Sequence, residues 1–189
     1  MSTENTLIAR ICHDLITPFN AINLGLEAFE MSSDMFLIED IKKSTAKANV
    51  TLKFIRELFS EKSDGFCYSV DSLKYVVADM LSVCGISYAL ESDIGNIPNV
   101  AGKIIMFTAI VAKEIMPFGG TATTNLSNMS GRIITCCSGK SVAIPSMVIH
   151  ELSHGNIMRH YLIKLLHKSG FEMTSHKEGT SVVICQKMI

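Results

Sequence analysis

Ala9-Arg10-Ile11-Cys12-His13-Asp14-Leu15-Ile16-Thr17-Pro18 is the stretch on which the reading of this chain turns. Around it, apolar residues recur at Ile8, Ile11, Leu15, Ile22, Leu26 and Phe29, with no glycine between Thr6 and Gly25. That alternation of threes and fours is what a heptad seam requires. With Ile8 as position a, Ile11 falls at d and Leu15 at a, so His13 falls at f, away from the seam. A histidine there is a surface residue, and Arg10 at i−3 and Thr17 at i+4 share its face. Pro18 lacks the N–H that would bond the carbonyl of Asp14, so a kink is expected one turn beyond His13.

These residue types suit nucleophilic chemistry. A neutral imidazole nitrogen attacks near neutral pH, and a neighbouring carboxylate such as Asp14 can hold the opposite ring N–H, fix the tautomer and stabilise the cation formed on attack. Arg10 supplies donors for charge-assisted hydrogen bonds to a phosphoryl group. Consecutive helical residues diverge by about 100°, so contact between His13 and Asp14 depends on rotamer.

Outward from this stretch, Met31-Ser32-Ser33-Asp34 breaks the pattern, with Ser33 or Asp34 as the N-cap of a second helix. That helix carries Leu37, Ile41, Ser44, Ala48, Leu52, Ile55 and Phe59 on one stripe. Two helices of about 26 residues, each about 40 Å long, make an antiparallel hairpin over residues 5–60. Its single apolar seam cannot be buried alone, and pairing two hairpins into a four-helix bundle predicts a homodimer.

Ser60-Glu61-Lys62-Ser63-Asp64-Gly65 is a polar hinge after which the period changes. A strand is expected over Phe66 to Val70, a helix over Asp71 to Val83, a strand over Ser87 to Glu91 and a helix over Asn99 to Met116. Strands follow near Thr121 to Leu126, Arg132 to Ser138 and Ser141 to Ile144. A last helix runs from Asn156, its N-cap, to Lys168, ahead of strands around Phe171 to Ser175 and Ser181 to Gln186. The fold class is α+β: a helical hairpin domain at 1–62, then a sandwich domain at 63–189 with one mixed sheet covered by helices.

Composition narrows the function. At 189 residues the chain makes one large domain or two small ones. Lys plus Arg number 17 against 18 Asp plus Glu, so no basic field is present to hold a nucleic-acid backbone. Hydrophobic residues reach 48% and mean hydropathy is +0.31. Even so, charge breaks each apolar run well before the roughly 18 residues of a membrane span. The longest, Ile104 to Ala112, lies between Lys103 and Lys113. Met1-Ser2-Thr3-Glu4 has an early acid and no basic segment leading into an apolar stretch, so no secretory signal is expected and the cytosol is the expected compartment. The cysteines at 12, 67, 84, 136, 137 and 185 form no C-x-x-C pair and are read as small core residues.

His13-Asp14-Leu15-Ile16-Thr17-Pro18 has the H-[ED]-L-x-[TS]-P form, and so resembles the phosphoacceptor box in the dimerisation helices of sensor histidine kinases. Extended by Ala9 to Cys12 and by Asn20-Ala21-Ile22-Asn23-Leu24-Gly25-Leu26-Glu27, the stretch is similar to the ChpT-type histidine phosphotransferases of alphaproteobacteria. The resemblance implies a hairpin followed by a degenerate domain of the Bergerat, or histidine-kinase ATPase, type. It implies that His13 relays a phosphoryl group between receiver-domain aspartates of a hybrid kinase and of response regulators. Arg10, Asp14 and Thr17 are then expected to support His13, with Ile16, Phe19 and Asn20 forming the receiver's docking surface. Magnesium would sit on the receiver, leaving this chain without a cofactor of its own.

The resemblance also separates carrier from kinase. A kinase ATP site has an Asn-bearing helix that holds magnesium and a D-x-G-x-G turn for the base. The matching helix, Lys103 to Met116, has no Asn, and no D-x-G-x-G follows. Pro117-Phe118-Gly119-Gly120 resembles the family's P-x-G-G turn and reads as a helix stop before a strand. ATP binding is not expected; an ATP-dependent kinase core is the first alternative.

A second alternative is zinc proteolysis. His150-Glu151-Leu152-Ser153-His154 is a literal H-E-x-x-H, with His160 at third-ligand spacing. Ile157 stands where the extended motif has glycine, and Gly155 and Asn156 should interrupt the helix that aligns the ligands. No metal is expected there. His167 and His176, the latter placed in a polar turn, have no partner pattern.

Overall fold

The computed structural model describes residues 3–127, 131–143, 153 and 155–188. Two long helices open the chain, α1 (Thr3–Ser32) and α2 (Met35–Phe59). The helix α1 continues through Pro18, which is buried. It ends where Ser33 adopts a left-handed conformation, φ 53°. Asp34 then caps α2, its carboxylate accepting the Phe36 N–H at 2.9 Å. Gly25 sets how closely the helices approach, because a Cβ there would stand 2.7 Å from Ile41 Cγ1.

The remaining elements are β1 (Cys67–Ser69), α3 (Val70–Ser82), β2 (Ile86–Ser92), β3 (Asn96–Pro98), α4 (Asn99–Ile115), β4 (Gly120–Ser127), β5 (Arg132–Ser138), α5 (Ile157–Lys168), β6 (Phe171–Glu178) and β7 (Ser181–Met188). Five strands form one mixed sheet in the order β2-β4-β5-β7-β6, parallel only between β2 and β4. A separate antiparallel ribbon pairs β1 with β3. Alternate residues of the sheet, among them Ala122, Leu126, Ile133, Cys137, Val182 and Ile184, are buried on one face under α3, α4 and α5. The architecture is therefore a helical hairpin followed by an α+β sandwich.

Helix α4 is apolar nearly all round and is buried from Ile104 to Ala112, the behaviour of a central core helix. Its one internal polar group is matched: the Thr108 hydroxyl donates to the Ile104 carbonyl at 2.8 Å and accepts from Gln186 Nε2 at 2.7 Å. At the turn into β4, Gly119 and Gly120 both have positive φ, and a Cβ at Gly120 would lie 2.2 Å from the Ser138 carbonyl oxygen. The P-x-G-G turn is thus a steric requirement of the β4–β5 approach.

The hairpin and the sandwich share one core. Phe54 and Leu58 of α2 are among its most buried residues. Phe59 meets the rings of Phe107 on α4 and Tyr161 on α5 edge to face at 6.0 and 6.1 Å, and those two rings stack on each other at 6.4 Å. Lys103 Nζ donates to the Ser60 carbonyl at 3.0 Å.

Several expectations are corrected. On α2 the buried face drifts to Ala48, Thr51, Phe54 and Leu58, while Leu52 is exposed, because the lower half of α2 is enclosed by the sandwich as well as by α1. On α1, Ile8 and Leu26 are exposed in the single chain. Residues 141–143 form no strand, and Ile144 lies outside the described residues. Asn156 is the N-cap residue of α5 as expected, but without a side-chain cap hydrogen bond; its Oδ1 accepts instead from the Ser153 N–H at 2.9 Å. His176 lies in strand β6, bonded to Glu178 at 2.9 Å. Of the cysteines only Cys137 is buried, with its thiol pushed up to about 12 by burial, whereas Cys12 and Cys67 are exposed. Truncating the shared aromatic cluster by Phe107→Ala is expected to cost about 3–5 kcal/mol in urea unfolding; a loss below about 1 kcal/mol would mean that these rings do not join the two parts.

Candidate functional site

His13 lies about a third of the way along α1 with its side chain 70% exposed, as its heptad position requires. Its Nδ1 faces Asp14 Oδ1 at 3.3 Å. The other carboxylate oxygen of Asp14 accepts from Arg10 Nε at 3.0 Å, an i,i+4 pair. The rotamer that brings Asp14 to its neighbour is therefore held by Arg10 from one turn back. Arg10 and Asp14 are only 16% and 20% exposed, so this pair lies behind the imidazole and is better shielded from solvent than a surface pair.

Thr17 donates its hydroxyl to the carbonyl of His13 at 3.1 Å. It thereby binds the backbone of the histidine's own turn, next to the place where Pro18 removes a helical donor. Ile16 and Asn20, three and seven residues after His13, are exposed on the same side of α1. Phe19 is exposed one face over, on a line with Ile8 and Leu26, which are eleven and seven residues away from it.

The sandwich reaches this site from behind. Helix α1 contacts α5, and α5 packs on α4. Glu114, near the C-terminus of α4, pairs with Arg159 of α5 at 3.1 Å, both side chains 20% exposed. Burial pushes the Glu114 carboxyl above the usual carboxylate range. Arg159, Arg10 and Lys113 pull it down, and Asp14 pushes it up. Glu114 thus sits in the field of the groups that support His13. Glu114 and Arg159 had no local signal in the sequence, being 45 positions apart on helices whose crossing only the fold defines.

The H-E-x-x-H pattern supplies no comparable site. His150, Glu151, Leu152 and His154 lie outside the described residues, and α5 begins only at Ile157. His160 is on α5, half-buried, with burial and Lys164 both lowering its basicity. Among the described residues no cluster of three His, Cys, Asp or Glu is arranged to hold a metal. No described helix is long and apolar enough to cross a membrane.

Comparison with known proteins follows the same outline. No family model matches the chain. It is 24% identical over 191 residues to protein phosphotransferase ChpT of Brucella abortus (strain 2308), a match covering 94% of this chain and 91% of that protein. A solved bacterial phosphotransferase shares the fold with a TM-score of 0.86 at 21% identity, over 98% of this chain and 95% of the other. The Acinetobacter baumannii histidine kinase AdeS superposes with a TM-score of 0.52 at 13% identity, over 93% and 96%. The chain thus resembles a ChpT-type phosphotransferase over nearly its whole length, and histidine kinases more remotely.

The hydrogen bond to Asp14 predicts a defined tautomer. Long-range 1H–15N spectra at about pH 8.5 should show His13 carrying its proton on Nδ1, and Asp14→Ala should return it to the Nε2–H form that an unconstrained histidine side chain prefers. An Nε2–H form in the wild type would contradict the geometry.

Proposed function

We propose that this chain is a histidine phosphotransferase, taking a phosphoryl group from the aspartate of one receiver domain on His13 and passing it to the aspartate of another. The observation that carries the reading is the exposed His13 imidazole with Nδ1 against Asp14, on a helix whose opposite side is packed into the protein. With Nδ1 so committed, Nε2 is the nucleophile. Its lone pair attacks phosphorus, the P–O bond to the donor aspartate breaks, and that electron pair leaves with the carboxylate. The Nδ1 proton stays against Asp14, whose charge offsets the positive charge of the phosphorylated ring. No net proton is taken up, so the same step runs in either direction.

Arg10 acts in this scheme by holding Asp14, and Thr17 by fixing the backbone of His13. Ile16 and Asn20 flank His13 as docking positions, with Phe19 at their edge. The partners are the receiver domains of a hybrid histidine kinase and of response regulators, in the cytosol, with magnesium carried by the receiver. Residues 1–62 form the phosphotransfer domain and 63–189 a degenerate ATPase-like domain. The reading against ATP is supported by the part of α4 from Lys103 onward, which carries no Asn and is filled with buried Ile104, Ile105, Met106, Phe107 and Ile110. Purified receiver phosphorylated with [32P]acetyl phosphate should label the wild type with acid-labile phosphate and leave His13→Ala unlabelled. Labelling from ATP in the absence of a receiver would instead make the chain a kinase.

Exposed Ile8 and Leu26 on α1, with Leu52 exposed on α2, support a homodimer through a four-helix bundle. Light scattering should return about twice the chain mass of 20.7 kDa. The pair Ile8→Glu and Leu26→Glu should return one chain mass; a monomeric wild type would refute the bundle.

A further inference from the structure

We propose that Glu114, together with Arg159, is a positioning residue for the phosphoacceptor: the pair keeps Arg10 on Asp14, and hence Asp14 on Nδ1 of His13. This rests on the phosphotransfer reading and adds to it a role for the sandwich. Two ion pairs lie along the packing of α1 on α5 and of α5 on α4: Arg10 with Asp14 on α1, and Arg159 of α5 with Glu114 of α4, whose carboxyl also feels the charges of Arg10 and Asp14. Arg10 Nε lies 3.0 Å from Asp14 and Arg159 Nε 3.1 Å from Glu114, and all four side chains are at most 20% exposed. Lys113 also acts on Glu114 and lies on the same helix turn.

The balance matters because the two guanidinium groups serve two carboxylates in a poorly solvated place. Neutralising Glu114 leaves two cations to one anion, and Arg159 then competes for Asp14, drawing its carboxylate away from the imidazole. Neutralising Arg159 leaves two anions to one cation, and Arg10 is divided between Glu114 and Asp14. Either change loosens the group that sets the tautomer of His13 without touching the exposed face on which a receiver docks. Removing both charges restores one cation to one anion.

The test is single-turnover transfer from a hybrid-kinase receiver domain phosphorylated with [32P]acetyl phosphate, at a series of receiver concentrations. The full-length wild type is compared with Glu114→Gln, Arg159→Met and the double variant, each checked for its circular-dichroism melt. Each single variant should lower the maximal rate about tenfold with the half-saturating receiver concentration unchanged. The double variant should recover to within about threefold of wild type, which a merely structural role would not produce. A single variant that fails to fold leaves the other single and the double to carry the comparison. Folded singles at wild-type rate, a loss confined to half-saturation, or a double variant with additive losses would each overturn the proposal. A wild type that takes no label overturns the relay reading and this proposal with it, whereas a labelled wild type with unaffected variants overturns this proposal alone.

Discussion

The ion pair between Arg10 and Asp14 is the contact on which the proposed phosphoacceptor site depends. A phosphoacceptor histidine has to be open to a partner protein and yet hold one ring nitrogen in a fixed protonation state. On an isolated helix those demands conflict, because an exposed side chain has only solvent for company. Here a carboxylate adjacent in sequence is turned toward the imidazole by an arginine one turn earlier, at 3.0 Å. Both partners are shielded by the sandwich packed behind α1, where a charge pair is less screened than at the surface. The imidazole stays 70% exposed while its support does not.

That arrangement requires the sandwich to stay against the hairpin. Phe54 and Leu58 bury into the shared core, and Phe59, Phe107 and Tyr161 interlock across the junction of α2, α4 and α5. In a carrier that receives phosphate from outside, a fixed sandwich loses nothing and can serve as scaffold. Helix α4, buried from Ile104 to Ala112, is the centre of that core.

Much of this was legible in the sequence because the decisive signals are local. The heptad placed His13 opposite the seam, and the Ser33-Asp34 break, the P-x-G-G turn and most strand positions follow from capping, glycine and alternation. What was missed is non-local. The drift of the α2 stripe toward Phe54 and Leu58 comes from a second neighbour that periodicity on one helix does not reveal. The three-residue strand β3 is too short for alternation to register and exists through pairing with β1. Glu114 and Arg159 are unremarkable charges in separate helices until the fold crosses them. The exposed Cys12 and Cys67 show that small apolar character alone does not place a residue inside.

The central claim is that phosphate on this chain resides on Nε2 of His13. After incubation with a phosphorylated receiver domain, 31P–1H correlation spectra of the isolated protein should show a single phosphorus coupled to the His13 ring protons in the pattern of an Nε2 adduct. Phosphorus on Nδ1, on another residue, or on no residue of the chain would contradict the account.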